Sequence, residues 1–281
     1  MKPPGWYWIA LCGLLPLGCF GYRSGLAANT DQGTAGEAPA SRAAASPRVA
    51  ARDERMHVLF LAGQSNVIAQ YGTSAPDPPK NPEIPMLARC LGPTGFEFDS
   101  GPDPVPLGAV HGFHSLEIAA AVALKRAGWH VAVAKLAVGN SWLGEWRPAA
   151  PTGYWKALVE MHDRAEQAWG RDLAWHFVWL QSESDAQQAN RTAIYADNLR
   201  GFVAEIREEL GPIDFWQCKL QPSQSNANGT AIRAAQVEVM AADPRNHLLD
   251  FDDLNGALHY TSPQLDEMGR RVAAALQAAE H

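Results

Sequence analysis

The chain has 281 residues, of which 47% are hydrophobic and 19% are charged, and its formal net charge is −7. This length and composition predict one globular domain with a sizeable core, together with shorter appended segments. The acidic balance, without a basic stripe or an arginine-rich run, excludes nucleic acid as an expected partner. Nothing in the sequence indicates an oligomeric state.

Residues 1–25 have the pattern of a targeting segment. Lys2 precedes the apolar stretch 6–15, which is too short to span a bilayer. The end of this segment resembles a lipobox, in which Cys19 would carry a lipid that tethers the protein to a membrane. A conventional cleavage site near residues 27–28 and an uncleaved anchor are the alternatives. We therefore expect an exported protein that is periplasmic, on the cell surface or extracellular.

Residues 26–55 are rich in Ala, Ser, Gly and Pro and have no amphipathic period. Such a composition cannot bury enough apolar surface to fold, so this segment is predicted to be a disordered linker. The remaining residues, 56–281, show no internal repeat and no composition shift. They are expected to form a single folded domain.

Predicted strands and helices alternate along this domain. The segment 71–106 is dense in Pro and Gly and is interpreted as a long functional surface loop. The alternation predicts an α/β three-layer sandwich, a parallel sheet with helices on both faces. The predicted strands cover residues 57–62, 129–136, 174–180, 215–220 and 247–250, and the predicted helices cover 115–127, 154–169, 191–210, 230–241 and 263–279.

Ser65 follows the first predicted strand in the tetrapeptide 63–66 (GQSN). A serine just beyond the C-terminal end of a parallel strand lies where open α/β sheets bind their ligands. A helix that begins there directs unpaired N–H groups and its positive dipole end toward the hydroxyl. This arrangement suits a nucleophile with oxyanion donors, although a serine at such a turn also serves as a plain helix cap.

His259 lies near the other end of the chain, in a loop that begins with the acidic stretch 250–253. A histidine titrates near neutral pH and can act as a base, and a nearby carboxylate can orient it. A serine, a histidine and an acid form a catalytic triad by geometry, whatever their order in the chain. The alternative is a surface histidine beside the last helix.

Four short blocks in this chain resemble those of SGNH-type hydrolases, and more narrowly the sialate O-acetylesterase and carbohydrate esterase family 6 group. They occur in the family's order, from about Met56 to the C-terminus. The resemblance implies a flavodoxin-like sandwich, with Ser65 as nucleophile and His259 as base. It also implies hydrolysis of acetyl esters on sugars without a metal or other cofactor. The blocks are residues 62–66 (AGQSN), 137–141 (AVGNS), 179–185 (WLQSESD) and 258–261 (LHYT).

Three positions depart from the family pattern. Asn140 and Ser182 each stand where the family usually has a glycine, and Gly256 stands where it usually has the triad Asp. The first two departures require only small backbone changes. The third leaves the orienting acid unassigned.

Several groups remain for the role of that acid. Asp253 is our prediction, because one extra loop residue would bring an upstream carboxylate to the imidazole. Asp252 is the neighbouring alternative, and Asn255 could orient the ring by hydrogen bonding. A Ser65–His259 dyad without an acid is the last possibility.

The tetrahedral intermediate of ester hydrolysis requires hydrogen-bond donors for its oxyanion. The candidates are the N–H groups of Ser65 and Gly139 and the side-chain amide of Gln181. Gly139 suits this role because a missing Cβ permits close approach of the backbone to substrate. Five further residues of these blocks are expected to line the substrate site, although the last two also fit a helix N-terminus: Gln64, Asn66, Asn140, Glu183 and Asp185.

His111 and His114 have a spacing that some metal sites use, but no third ligand is obvious, so they are expected at the pocket rim and no metal is assigned. Cys90 and Cys218 are the cysteines of the folded domain. Export would permit a disulfide between them, and buried free thiols are the preferred interpretation. The ten tryptophans offer faces for sugar stacking, but core packing is favoured for any one of them.

Two functions fit these observations. The first is a secreted serine esterase that removes O-acetyl groups from an acetylated carbohydrate, of the acetylxylan or sialate type. The second is a non-catalytic carbohydrate-binding or scaffold protein on a degenerate hydrolase fold, suggested by Gly256 and Asn140. A lipase-like esterase fits less well, because the serine block is not the Gly-x-Ser-x-Gly elbow of α/β-hydrolases.

Overall fold

The computed structural model describes residues 54–68, 81–91, 97–109, 115–224, 226–254 and 258–280. All of them belong to one compact unit that spans residues 50–281. Within these residues, no helix is both long enough and apolar enough to cross a membrane. The predictions for the targeting segment, His111, His114, Asn255 and Gly256 lie outside the described residues, as does the predicted linker up to residue 53.

An eight-stranded sheet forms the middle of this unit, in the order β3-β2-β5-β1-β6-β7-β8, with β4 paired to β2. Strands β2, β5, β1, β6, β7 and β8 run parallel, whereas β3 and β4 pair with β2 in the antiparallel sense. The described strands are β1 (Met56–Gly63), β2 (Asn81–Leu91), β3 (Glu97–Asp99), β4 (Val105–Leu107), β5 (His130–Val138), β6 (Leu173–Leu180), β7 (Asp214–Cys218) and β8 (Asn246–Leu249).

Helices cover both faces of the sheet. Two 3₁₀ turns, Leu143–Trp146 and Pro222–Gln224, follow β5 and β7. The described helices are α1 (Ser65–Ile68), α2 (Leu116–Arg126), α3 (Tyr154–Trp169), α4 (Glu183–Ala186), α5 (Ala189–Ala193), α6 (Tyr195–Leu210), α7 (Ala227–Met240) and α8 (Ser262–Ala279).

Side chains of β1 alternate between two separate hydrophobic cores. Leu59 and Leu61 pack in the core formed with α2 and α8, whereas Phe60 and Ala62 pack in the core formed with α3, α6 and α7. A central parallel strand is buried on both faces, which is why its sequence is a continuous apolar run. The predicted three-layer α/β sandwich is confirmed.

The prediction was wrong for part of the segment 71–106. Its described residues include β2, β3 and β4, and β2 pairs in parallel with β5. Pro82 and Pro85 concealed β2, because proline lacks the N–H that a ladder needs and is confined to strand ends, edges and bulges. Here the register between β2 and β4 shifts between Asn81 and Pro85, which accommodates the prolines. The predicted helix 191–210 is also divided into α5 and α6.

Candidate active site

The parallel strands bring the four sequence blocks to one edge of the sheet. Gly63 at the end of β1 is in register with Ala137 on β5 and with Leu180 on β6. The residues that follow these strands therefore converge at the C-terminal edge, where open α/β sheets bind ligands. Ser65 and His259, 194 positions apart in sequence, meet at this edge.

Ser65 and His259 are in hydrogen-bond contact, with 3.1 Å between Ser65 Oγ and His259 Nε2. Ser65 is the first residue of α1 and retains 9% of its accessible surface, so a small substrate group can reach its hydroxyl. Partial burial lowers the pKa of His259 below its usual value, because desolvation disfavours the imidazolium. At neutral pH the ring is therefore mostly neutral, which is the state a general base requires.

Gly63 is required by the close approach of β1 to β6. It has a φ of +148°, and a Cβ placed on it would lie 2.0 Å from the Leu180 carbonyl oxygen. The next residue, Gln64, donates its N–H to the same carbonyl at 3.2 Å. The turn that presents Ser65 is thus anchored directly on β6.

The side chain of Asn66 holds the chain on both sides of His259. Its Oδ1 accepts from the Tyr260 N–H at 3.1 Å, and its Nδ2 donates to the Leu258 carbonyl at 3.4 Å. The same Nδ2 donates to Glu183 Oε1 at 2.5 Å. Asn66 is 2% exposed and lies beneath the pocket. It was predicted to line the substrate site, and the structure places it as a support for the imidazole.

Asp253 was predicted to orient His259, and the structure places its carboxylate elsewhere. Both oxygens accept from the guanidinium of Arg271 on α8, each at 2.6 Å. This ion pair holds the pKa of Asp253 below its usual value. With both oxygens bound in this way, the carboxylate does not hydrogen-bond the imidazole in the described structure.

Asp252, the neighbouring alternative, is also occupied by cations. Its carboxylate accepts from Lys219 at 2.9 Å and from Arg233 at 2.5 Å, and these partners lower its pKa to about 2. Asp250 accepts from the same lysine at 2.6 Å. The acids of this loop therefore attach it to α7, to α8 and to Lys219, which directly follows β7.

Two of the three predicted oxyanion donors are engaged in other hydrogen bonds. The Gly139 N–H donates to the Leu91 carbonyl at 2.7 Å, where it extends the pairing of β5 with β2. The Gln181 amide, 1% exposed, donates to Asp185 at 2.6 Å and to the Ser141 carbonyl at 3.1 Å. The remaining predicted donor, the Ser65 N–H, lies in the first turn of α1, where no intrahelical acceptor exists.

Asn140 and Ser182, the two residues that replace family glycines, both adopt left-handed backbone conformations. Asn140 has a φ of +59°, which asparagine tolerates better than most residues. Ser182 has a φ of +149° and is fully buried, and its Oγ accepts from Gln236 Nε2 at 2.9 Å. The glycine-like geometry is thus retained at both positions without glycine.

Glu183 and Asp185 were predicted to line the substrate site, but both side chains are buried below it, with 3% and 0% exposure. Asp185 also accepts from the Leu143 N–H at 3.1 Å, so it joins the loop after β5 to the loop after β6. Burial is the main cause that raises the pKa of both carboxyls, to about 6 for Asp185. These acids support the loops and do not face substrate.

The pocket above Ser65 has a volume of about 240 Å³. Gln64 and Asn140 line it as predicted. Three other lining residues were missed by sequence reasoning, and only Leu258, an exposed apolar residue next to His259, had a signal that could have revealed it. Among the described residues, the lining consists of Gln64, Ser65, Asn140, Ser184, Gln187, Leu258 and His259.

The remaining predictions concern core residues. Cys90 and Cys218 are free and buried, and burial raises the pKa of both thiols, to about 11 for Cys90. The preferred interpretation of free thiols is confirmed. Trp146, Trp179 and Trp216 are buried in the core, where sugar cannot stack on them.

The three-layer α/β sandwich, with a serine–histidine pair at the C-terminal edge of its sheet, defines an SGNH-type hydrolase fold. A family model described as carbohydrate esterase, sialic acid-specific acetylesterase, matches residues 55–278. The chain belongs to this family. No curated protein matches the sequence significantly.

Solved structures agree with this fold. A protein from Arabidopsis thaliana has a TM-score of 0.63 and 17% identity over 80% of this chain and 99% of its own. NanS has a TM-score of 0.62 and 16% identity over 81% and 98%. A carbohydrate esterase family 2 enzyme of Corynascus, with a carbohydrate-binding domain, has a TM-score of 0.50 and 16% identity over 82% and 68%.

Proposed function

We propose that this protein is a serine esterase that hydrolyses O-acetyl esters on carbohydrate. The observation that carries the proposal is the 3.1 Å contact between Ser65 Oγ and His259 Nε2 in a pocket at the C-terminal edge of the sheet. Membership of a carbohydrate esterase family supports the same reaction. A pocket of about 240 Å³ suits an acetyl group better than a long acyl chain.

In the proposed reaction, His259 Nε2 takes the proton from Ser65 Oγ as this oxygen attacks the acetyl carbonyl carbon. Collapse of the tetrahedral intermediate breaks the ester bond, and His259 returns the proton to the departing sugar oxygen. Water, activated by the same imidazole, then attacks the acetyl-serine and releases acetate. His259 thus acts first as base and then as acid in each half of the cycle.

We propose the Ser65 and Asn140 N–H groups as donors to the oxyanion. The Gly139 N–H points toward β2, since it bonds Leu91. Asn140 is the next residue of this turn and lines the pocket together with Ser65, so its N–H is the candidate donor from the loop after β5. Asn140→Gly keeps this N–H and the left-handed conformation and should retain kcat. A loss of about 10²-fold or more would instead assign the donor role to the side-chain amide.

The alternative function is a non-catalytic carbohydrate-binding protein on a degenerate hydrolase fold. The ion pair between Asp253 and Arg271 favours this alternative. The Asp253 carboxylate is bound to the guanidinium and does not orient the His259 imidazole. A serine–histidine pair nevertheless retains part of the rate enhancement without an orienting acid. Activity is therefore the deciding measurement.

The test compares wild type with Ser65→Ala and His259→Ala, using p-nitrophenyl acetate and acetate release from acetylated xylan, sialic acids and pectin. Both variants should lose nearly all activity and should lose similar amounts, because the two residues act as one unit. Circular dichroism of each variant checks that the fold is intact. If purified wild type is no faster than Ser65→Ala on every substrate, the esterase proposal is wrong and binding to the same polysaccharides tests the alternative.

We also propose that the protein is exported and that the esterase domain begins near Met56, as the sequence predicts. Intact-mass measurement of the protein from its native host tests this. A mature chain that begins beyond residue 18 supports export, and added acyl mass on a chain that begins at Cys19 supports the lipid tether. A full-length cytoplasmic chain would contradict export.

A further inference from the structure

Two buried histidines lie at the edge of the sheet opposite Ser65. His57 is the second residue of β1, about 20 Å along the strand from Gly63. His176 lies on the adjacent strand β6, two residues beyond the Ala174 that pairs with His57. The two imidazoles therefore lie on the same face of the sheet as diagonal neighbours. They are 3% and 5% exposed, and His57 Nδ1 lies 3.0 Å from His176 Nε2.

Glu280 completes a cluster with these histidines. It directly follows α8, the helix that packs on this face of the sheet. One carboxylate oxygen and one nitrogen of each imidazole all lie within 4.8 Å of one another. Potential ligands on β1, on β6 and directly after α8 thus lie close together. The two histidines are buried, whereas Glu280 is exposed to solvent.

The surroundings hold the two imidazoles in place. The two rings stack with 5.3 Å between their centroids. Imidazole nitrogens are the commonest metal ligands among protein side chains. The indole of Trp129 packs on the His57 ring with 4.0 Å between centroids, which restrains its orientation.

We propose that His57, His176 and Glu280 bind one divalent transition-metal ion, with Zn²⁺ as the expected ion. Imidazole nitrogens and a carboxylate are ligands that Zn²⁺ prefers, whereas Ca²⁺ and Mg²⁺ prefer oxygen alone. Two nitrogens bonded to one Zn²⁺ are roughly 2.9–3.4 Å apart for bond angles between 90° and tetrahedral. In the structure one imidazole donates a hydrogen bond to the other at 3.0 Å, a separation within this range, so the rings must turn but need not move apart to bind one ion.

Two charged neighbours determine how tightly the site holds a cation. Arg55 and Asp214 line the same groove as His176 and Glu280. The guanidinium opposes a dication and the Asp214 carboxylate favours it, so the net local charge comes mainly from Glu280. Removal of the Glu280 charge should therefore weaken binding strongly, although both buried imidazoles remain.

The ion would join the beginning of β1 to the end of α8 and would stabilise the fold. The site lies far from Ser65, so it is independent of the proposed esterase reaction. Zn²⁺ should raise the thermal unfolding temperature, and the chelated protein should keep its folded state. This separates the proposal from any failure of the catalytic assignment.

The test uses the full chain after dialysis against a chelator, with Zn²⁺ binding measured by competition with a chromophoric chelator. Wild type should bind one Zn²⁺, and Glu280→Gln should bind it at least about tenfold more weakly. Loss of a residue that only hydrogen-bonds a metal ligand already lowers the affinity by about this factor. His176→Gln should bind more weakly still. Mg²⁺ should neither bind nor shift the unfolding temperature.

Glu208→Gln is the matched control, because Glu208 is an exposed glutamate outside the cluster. It should bind Zn²⁺ as wild type does. Cys12 and Cys19 can also bind Zn²⁺, but they are present in every variant, so their contribution is the same in each measurement. His176→Gln alters a buried side chain, whereas Glu280→Gln changes an exposed one and should fold normally. Equal Zn²⁺ affinities for wild type, Glu208→Gln and Glu280→Gln would overturn the proposal.

Discussion

At the scale of single residues, Asn66 shows how the neighbour of the nucleophile determines where the histidine lies. Its two amide atoms bond the main chain at Leu258 and at Tyr260, on either side of His259. Asn66 Nδ2 also donates to Glu183 Oε1 at 2.5 Å, and this hydrogen bond restrains the rotation of the amide. The contact between Ser65 and His259 is thus maintained through residue 66.

Asn66→Ala is expected to lower kcat by roughly 10- to 100-fold, since a displacement of about 1 Å in an active site costs about 10²-fold. KM should change little, because Asn66 lies under the pocket and does not line it. Steady-state kinetics on an aryl acetate measures both quantities. Asn198→Ala, a change at an amide on α6, is the control and should leave kcat unaltered. Equal kinetics for the two variants would show that Asn66 does not position the imidazole.

Asp253 gives the second residue-scale prediction. Because Arg271 binds both of its oxygens, Asp253→Asn should change kcat by less than about threefold, as expected for a surface substitution. Asp252→Asn and Asn255→Ala, measured beside it, cover the other candidates. A large loss of kcat in Asp253→Asn alone would show that the ion pair opens and that the carboxylate reaches His259.

At the scale of elements, the junction of β1 with β6 determines the position of the nucleophile turn. Gly63→Ala should destabilise the fold by about 3 kcal/mol or more, because left-handed strain adds to overlap with the Leu180 carbonyl. Gly153→Ala is the matched control: its φ is +78°, but nothing lies within 4 Å of its added Cβ. It should cost only about 1–2 kcal/mol. Denaturant unfolding measures both values, and equal costs would refute the close approach.

The turn that leads from β6 into α4 carries a buried acid with a raised pKa. Burial raises the pKa of Asp185 from 3.8 to about 6, so its protonated form contributes stability below pH 4 that is lost as the pH rises through 6. Asp185→Asn carries no charge at any pH. Its unfolding free energy, relative to wild type, should therefore rise by about 2 kcal/mol between pH 4 and pH 7. Denaturant melts at several pH values measure this difference, and a pH-independent difference would contradict the assigned cause.

At the scale of the whole molecule, residues after 53 carry both hydrophobic cores and the described lining of the pocket. A fragment of residues 54–281 should therefore fold cooperatively and keep the activity of the full chain. Thermal unfolding and kcat, measured for both, test the domain boundary. A fragment that unfolds at a lower temperature would show that residues before 54 contribute to the fold.

The alternation of short apolar strands and amphipathic helices was sufficient to predict the parallel sheet with helices on both faces. It failed for β2, because Pro82 and Pro85 hide this strand. The pair Ser65 and His259 was also predictable, since each follows a strand within a recognisable block. The His57–His176 cluster was missed, because β1 and β6 become neighbours only when the sheet forms.

The sequence by itself determined which residue types reach the C-terminal edge of the sheet, because the position of each block after a strand is a local property of the chain. Only the tertiary structure decided what each of them does there. Gly139 and Gln181 lost their predicted roles because neighbouring carbonyls and a carboxylate already accept their protons. Asp253 lost its predicted role to Arg271, which approaches from α8. Hydrogen bonds and ion pairs between distant segments assign these partners, and no local pattern specifies them.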